Sequence, residues 1–176
     1  MTVCVAAFAQ KAQAIVMVSD KAVTYPGAAA LQSDVGIKKV RRVAKTPWHV
    51  LIAGDPSFAL RVIDGVETAF KARKNRDGTD LSHSSGTTMK VFESAYQIAR
   101  SRFVENTVLS PRLLTRDLLY ARGKDLLPLD PEFSSDVSDA CQLANPSASL
   151  LVCGFDHDDK AHIFSVVIPG KFTITI

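Results

Sequence analysis

Residues 2–19 read TVCVAAFAQKAQAIVMVS, two short apolar runs with the polar stretch Gln10-Lys11-Ala12-Gln13 between them. Each run is six to eight residues long and rich in β-branched side chains, which is the length and composition of a strand rather than a helix. The polar stretch then serves as the turn of a hairpin, and Asp20 ends the second arm. A chain that opens on a β-hairpin is read outward from it as strands first, helices later. One feature does not follow from strand propensity. Thr2 stands where removal of Met1 would leave a hydroxyl and a free α-amine on one residue.

Beyond the hairpin, KAVTYPGAAALQSDVG (21–36) carries a Pro-Gly signal and little periodicity, so it reads as a loop or irregular hairpin. IKKVRRVA and WHVLIAG follow as strands. Asp55-Pro56 is a cap followed by a residue tolerated in the first helical turn, and Phe58, Val62, Ile63, Val66 and Phe70 fall on one helical face. NRDGTDLSHSSG reads as a polar loop. Thr87 or Thr88 then caps a second helix with Phe92, Tyr96, Ala99 and Phe103 on one side. Residues 106–147 are less regular, with a short helix in LSPRLLTRDLLYARG and a surface excursion in DPEFSSDVSDACQLANPS. SLLVCGFD and AHIFSVVIPG read as a second hairpin about the turn HDDK, and KFTITI as a last strand. Strands, two helices and strands again predict a layered α+β sandwich in which helices cover a sheet.

At 176 residues, 47% hydrophobic and 22% charged, the chain has the balance of one soluble domain with a sizeable core. A net charge of +3 is too small to mark nucleic acid or an acidic membrane as a partner. Cys4, Cys141 and Cys153 have neither zinc-ligand nor disulfide-framework spacing, so a reducing compartment is expected. With no signal-peptide pattern and no apolar run long enough to span a bilayer, a cytoplasmic location follows as the expectation. His157-Asp158-Asp159 with His162 resembles a ligand set, but it straddles a hairpin turn and reads as turn polarity. Lys38-Lys39-Val40-Arg41-Arg42 lacks interleaved aromatics for base stacking and reads as a solvated strand face. Cys4, inside an apolar run, reads as a small hydrophobe.

The residues that carry chemistry are Thr2, Asp20 and Lys39. A threonine hydroxyl needs an adjacent base, and its own freed α-amine, which ordinarily titrates at roughly 7.7 to 8.0, can accept the proton near neutral pH. A lysine charge beside it favours the alkoxide and keeps the amine neutral, while an aspartate orients and compensates the lysine.

In this order MTVCVA, VSDKAVT, GIKKVRRV and VLIAGDPSFAL resemble the proteasome β-subunit superfamily of N-terminal-nucleophile hydrolases. MTVCVA with the following SD is similar to the bacterial Anbu-type relatives, KKVRRV is similar to the HslV peptidase, and SLLVCGFDHDDKAHIFSVVIPG resembles the family's late strand pair. The resemblance implies a four-layer αββα sandwich, two antiparallel sheets between helix layers, over the single domain 1–176. It implies that Thr2 is the nucleophile, Asp20 the acidic partner and Lys39 the catalytic lysine. Thr24 matches a substrate-contacting loop residue, and the oxyanion donor is a backbone N–H of Leu51 or of Gly54. The implied activity is threonine-type hydrolysis of peptide or unfolded-protein substrates, within a homo-oligomeric ring and without metal or organic cofactor. Any unfoldase partner is left unnamed. Two other readings keep the same fold, a non-catalytic scaffold subunit and an amidohydrolase for small amides. Family members also continue past the late hairpin into strands and helices bearing a supporting Ser and Asp, so this chain is expected to be C-terminally short.

Overall fold

The computed structural model describes residues 3–20, 23–24, 32–33, 38–72, 84–120, 131–167 and 171–175. The opening hairpin is formed by β1 (Cys4–Ala9) and β2 (Ala14–Ser19), paired antiparallel with Val5 opposite Val18 and Phe8 opposite Ile15. Its turn is tight: Gln10, Lys11 and Ala12 all take left-handed backbone angles. Two short strands follow, β3 (Val23–Thr24) and β4 (Gln32–Ser33), paired as the irregular hairpin the sequence suggests. The larger sheet has five antiparallel strands, β5 (Val40–Arg42), β6 (His49–Gly54), β7 (Ala148–Phe155), β8 (Ala161–Val167) and β9 (Lys171–Thr175), lying side by side in that order.

Alternation along the central strands decides which layer each residue meets. Leu51, Cys153 and Ile163 face the opening hairpin, where Cys4, Ala6, Phe8, Ile15 and Met17 pack against them. Trp48, Val50, Ile52, Leu150, Val152 and Phe164 take the other parity and are also buried. That second face meets α1 (Pro56–Ala72) and α2 (Ser85–Val104): Phe92 of α2 is edge-on to Phe164 of β8 at 6.1 Å, and the two helices meet where Phe58 is edge-on to Tyr96 at 5.2 Å. The residues are therefore arranged as hairpin, sheet and helices, a mixed α+β architecture with antiparallel sheets. The outward face of the hairpin is apolar as well, with Val3, Val5, Val16 and Val18 each about half exposed.

Helix α1 begins as its sequence demands. The Asp55 carboxylate accepts the Ser57 N–H at 2.8 Å and lies 3.4 Å from that of Phe58, and Phe58, Val62, Ile63 and Val66 are buried. Phe70, at the end of that stripe, is half-buried. Helix α2 starts earlier than predicted. Its cap is Ser84, whose hydroxyl faces the Thr87 N–H at 3.5 Å, while Thr88 is buried and within the helix. In SHSSGTT several residues are chemically able to cap, and tertiary packing selects among them. Most of the predicted NRDGTDLSHSSG loop, residues 73–83, lies outside the described residues.

The chain divides into two compact units, residues 1–97 with 147–176, and residues 98–146. The second unit corrects the expectation of a surface excursion. From the last turns of α2 the helix widens into a π turn over Glu105–Leu109 and a 3₁₀ turn over Ser110–Arg112. Two further helices follow, α3 (Arg116–Tyr120) and α4 (Pro131–Leu143). Their common core is Leu109, Leu114 and Val137, with Leu119 and Cys141 packed on it. Helix α4 was hidden because its serines and aspartates are poor helix formers and outweigh the short i, i+4 stripe of Phe133, Val137 and Cys141. Among the described residues no helix is long and apolar enough to cross a membrane.

Candidate functional site

The described chain begins at Val3, one residue after Thr2, which itself lies outside the described residues. Val3 is already fixed: its carbonyl accepts the Asp20 N–H at 3.1 Å, extending the β1–β2 ladder by one pair beyond Cys4 and Ser19. The Asp20 side chain, about a quarter exposed, accepts a hydrogen bond from Lys39 Nζ at 2.6 Å. Lys39 sits just before β5 and its side chain is 6% exposed. This corrects the reading of the Lys38–Arg42 run as a uniformly solvated face. Lys38 and Arg42 are exposed, but Lys39 turns inward to an acid supplied by the opening hairpin.

The pair has an electrostatic signature. The hydrogen bond from Lys39 holds the Asp20 carboxyl below its ordinary range, against partial desolvation, and the Lys39 charge and the Val3 backbone contact act in the same direction. Asp20 therefore stays anionic to lower pH than an ordinary aspartate. Cys4 lies close enough to feel both charges, yet desolvation is the largest influence and pushes its thiol up. Its Sγ–H points to the Ile52 carbonyl at 3.4 Å. A thiol kept protonated and tied to a carbonyl is a poor nucleophile. What the sequence did not reveal is that this thiol bridges β1 to β6 beside the Asp20–Lys39 pair.

Ladder parity separates the two candidate oxyanion donors. Along an antiparallel strand successive N–H groups face alternate neighbours. The Ile52 N–H donates to the Lys39 carbonyl at 2.8 Å, so even-numbered N–H groups of β6 face β5. Leu51, fully buried, turns its N–H toward β7, where Leu151 stands opposite. Gly54 shares the parity of Ile52 and lies exposed at the strand end, on the edge that carries Lys39. Its φ of +87° is one that side chains rarely adopt, and a Cβ there would overlap the Ser147 carbonyl oxygen. Thr24 is placed in β3 opposite Gln32 by its backbone. Its side chain lies outside the described set.

Asp156, His157 and Asp158 bring ligand-type atoms within 4.8 Å of one another. Asp156, however, is committed to its turn. One carboxylate oxygen accepts the Asp158 and Lys160 N–H groups at 3.0 Å each, and the other meets His162 Nε2 at 2.8 Å. Burial alone would raise this carboxyl, but the hydrogen bonds from His162 and the two N–H groups outweigh it and hold it low. The cluster is accounted for as an Asx-type turn that stiffens the β7–β8 hairpin. A cleft of about 760 Å³ opens beside the same turn, lined by Phe8, Lys11, Met89, His162 and Phe164 among others, and so does not include Asp20 or Lys39.

The chain matches no protein-family model and no curated protein sequence.

Proposed function

We propose that the chain is a threonine-type hydrolase subunit of the proteasome β kind, acting on peptide bonds through Thr2 once Met1 has been removed. The observation that carries the reading is the 2.6 Å contact between Asp20 and Lys39, two residues singled out for their chemistry, beside the strand whose next residue upstream is Thr2. In this mechanism the Thr2 hydroxyl attacks the substrate carbonyl and gives its proton to the Thr2 α-amine. The buried Lys39 ammonium stabilises the alkoxide, and Asp20 compensates and orients it. The Gly54 N–H donates to the developing oxyanion. The oxyanion then collapses, the C–N bond breaks, and the Thr2 α-ammonium gives its proton to the departing amine, leaving an acyl ester on Thr2. The freed α-amine takes a proton from water as its oxygen attacks the ester, and returns that proton to the Thr2 oxygen as the carboxylic acid product leaves. Thr24 pairs its backbone with an extended substrate in β fashion.

The same proposal includes the four-layer sandwich, with a further layer over the half-exposed valine face of the hairpin, and assembly into a homo-oligomeric ring. The test is turnover of a short peptide amide by protein whose N-terminus has been verified as Thr2. Thr2→Ala is expected to abolish it while leaving assembly intact. Unchanged turnover in Thr2→Ala overturns the mechanism, and a natively produced chain that keeps Met1 supports the non-catalytic scaffold instead.

A further inference from the structure

In the second unit, a buried donor has no acceptor among the described residues. Arg100, on α2, uses one terminal nitrogen to donate to the Cys141 carbonyl at 3.3 Å, while its Nε is fully buried with no hydrogen-bond partner among the described residues. Leaving a charged donor unsatisfied inside a protein is costly, and native structures avoid it unless water or an ion completes the site. Arg100 lines a small pocket of about 140 Å³ together with Arg116, Ser138, Cys141 and Gln142. Arg116 is steadied by its own bond to Ser101 Oγ at 3.1 Å, and Arg112 is tied to the Val108 carbonyl at 2.8 Å. Arg100 and Arg116 are the charged side chains among the described lining residues, so the pocket is cationic.

We propose that this pocket binds a tetrahedral oxyanion, a phosphate or the phosphoryl group of a small monoester. The Arg100 and Arg116 guanidinium groups supply charge-assisted donors, and the Ser138 hydroxyl and Gln142 amide complete them. A carboxylate has two oxygens and uses fewer of these groups, whereas four oxygens at tetrahedral angles meet donors arriving from α2, α3 and α4. The pocket is of a size for such a group and too small for a nucleoside with it. The ligand draws α2, α3 and α4 together beside the small core of Leu109, Leu114 and Val137. This assignment is independent of the hydrolase reading.

The experiment is calorimetric titration of the full chain with inorganic phosphate, glycerol 3-phosphate and acetate at matched ionic strength, with melting temperature measured in parallel. Phosphate is expected to bind and raise the melting temperature, with acetate at least tenfold weaker. A monoester that binds more tightly than phosphate identifies the source as an esterified group, and the reverse order identifies the free ion. Arg100→Met is expected to remove binding. Arg116→Gln, at an exposed residue whose loss does not threaten folding, is expected to weaken binding at least fivefold. No heat and no melting shift up to 50 mM phosphate, acetate equal to phosphate, or wild-type affinity in Arg116→Gln would each overturn the assignment.

Discussion

Asp20 and Lys39 are nineteen residues apart in sequence and joined by a 2.6 Å ion pair, with the lysine buried and the acid at the surface. The asymmetry matters. An acid that is partly solvated can lose its partner and recover water, whereas a buried ammonium depends on the acid.

Under the proposed threonine mechanism, Lys39→Ala is therefore expected to damage chemistry more than folding. Loss of one electrostatic stabiliser of this kind lowers kcat by about 10²–10³, while the freed Asp20 carboxylate rehydrates. Steady-state turnover of a peptide amide and thermal melting of the same variant separate the two effects. Lys39→Arg, which keeps the charge but not the shape, is expected to fold and to recover only part of the rate.

Acid stability has a definite sign. Both Asp20 and Asp156 have carboxyls held below the ordinary aspartate value of 3.8, so the stabilisation they give is complete above that pH. It is lost as pH falls through their lower folded-state values. Melting temperature measured from pH 7 to pH 2 should fall below about pH 4. The Asp20→Asn, Asp156→Asn double variant should start lower and show a shallower decline.

Gly54→Ala tests the strand end. At φ +87°, with the added Cβ directed at the Ser147 carbonyl oxygen, the substitution is expected to cost more than about 1–3 kcal/mol. Urea unfolding measures this directly. A neutral result would mean that the backbone between Gly54 and Ser147 is free to relax.

Asp55→Ala removes the α1 cap and is expected to cost about 1 kcal/mol without shifting the helix. Leu51→Ala, by contrast, opens a cavity between hairpin and sheet beside Cys153 and Ile163 and should cost about 2–5 kcal/mol. The two costs, from denaturant midpoints at constant slope, test whether packing between hairpin and sheet outweighs a single helix cap in holding the fold.

The hairpins and central strands were legible because apolar and β-branched runs alternate with turn residues, and the observed pairings follow that pattern. Helix α1 was legible because cap, proline and stripe agree. Helix α4 was not, since its stabilisation comes from Val137 and Cys141 meeting Leu109, Leu114 and Leu119, contacts that local propensity does not record. At the site, Asp20 and Lys39 were named from chemistry and resemblance. Which of the Leu51 and Gly54 N–H groups faces away from β7 depends on ladder parity, set by the Ile52 N–H facing the Lys39 carbonyl, and is invisible in the one-dimensional text. The buried Arg100 Nε was likewise unreadable, because its isolation depends on how α2 and α4 pack.

The most direct measurement is mass-spectrometric mapping of a peptide electrophile on natively processed protein. The Thr2 mechanism requires a chain lacking Met1, one adduct per chain on Thr2, and no adduct in Thr2→Ala. An adduct on Cys4, or an unmodified chain that retains Met1, would contradict it.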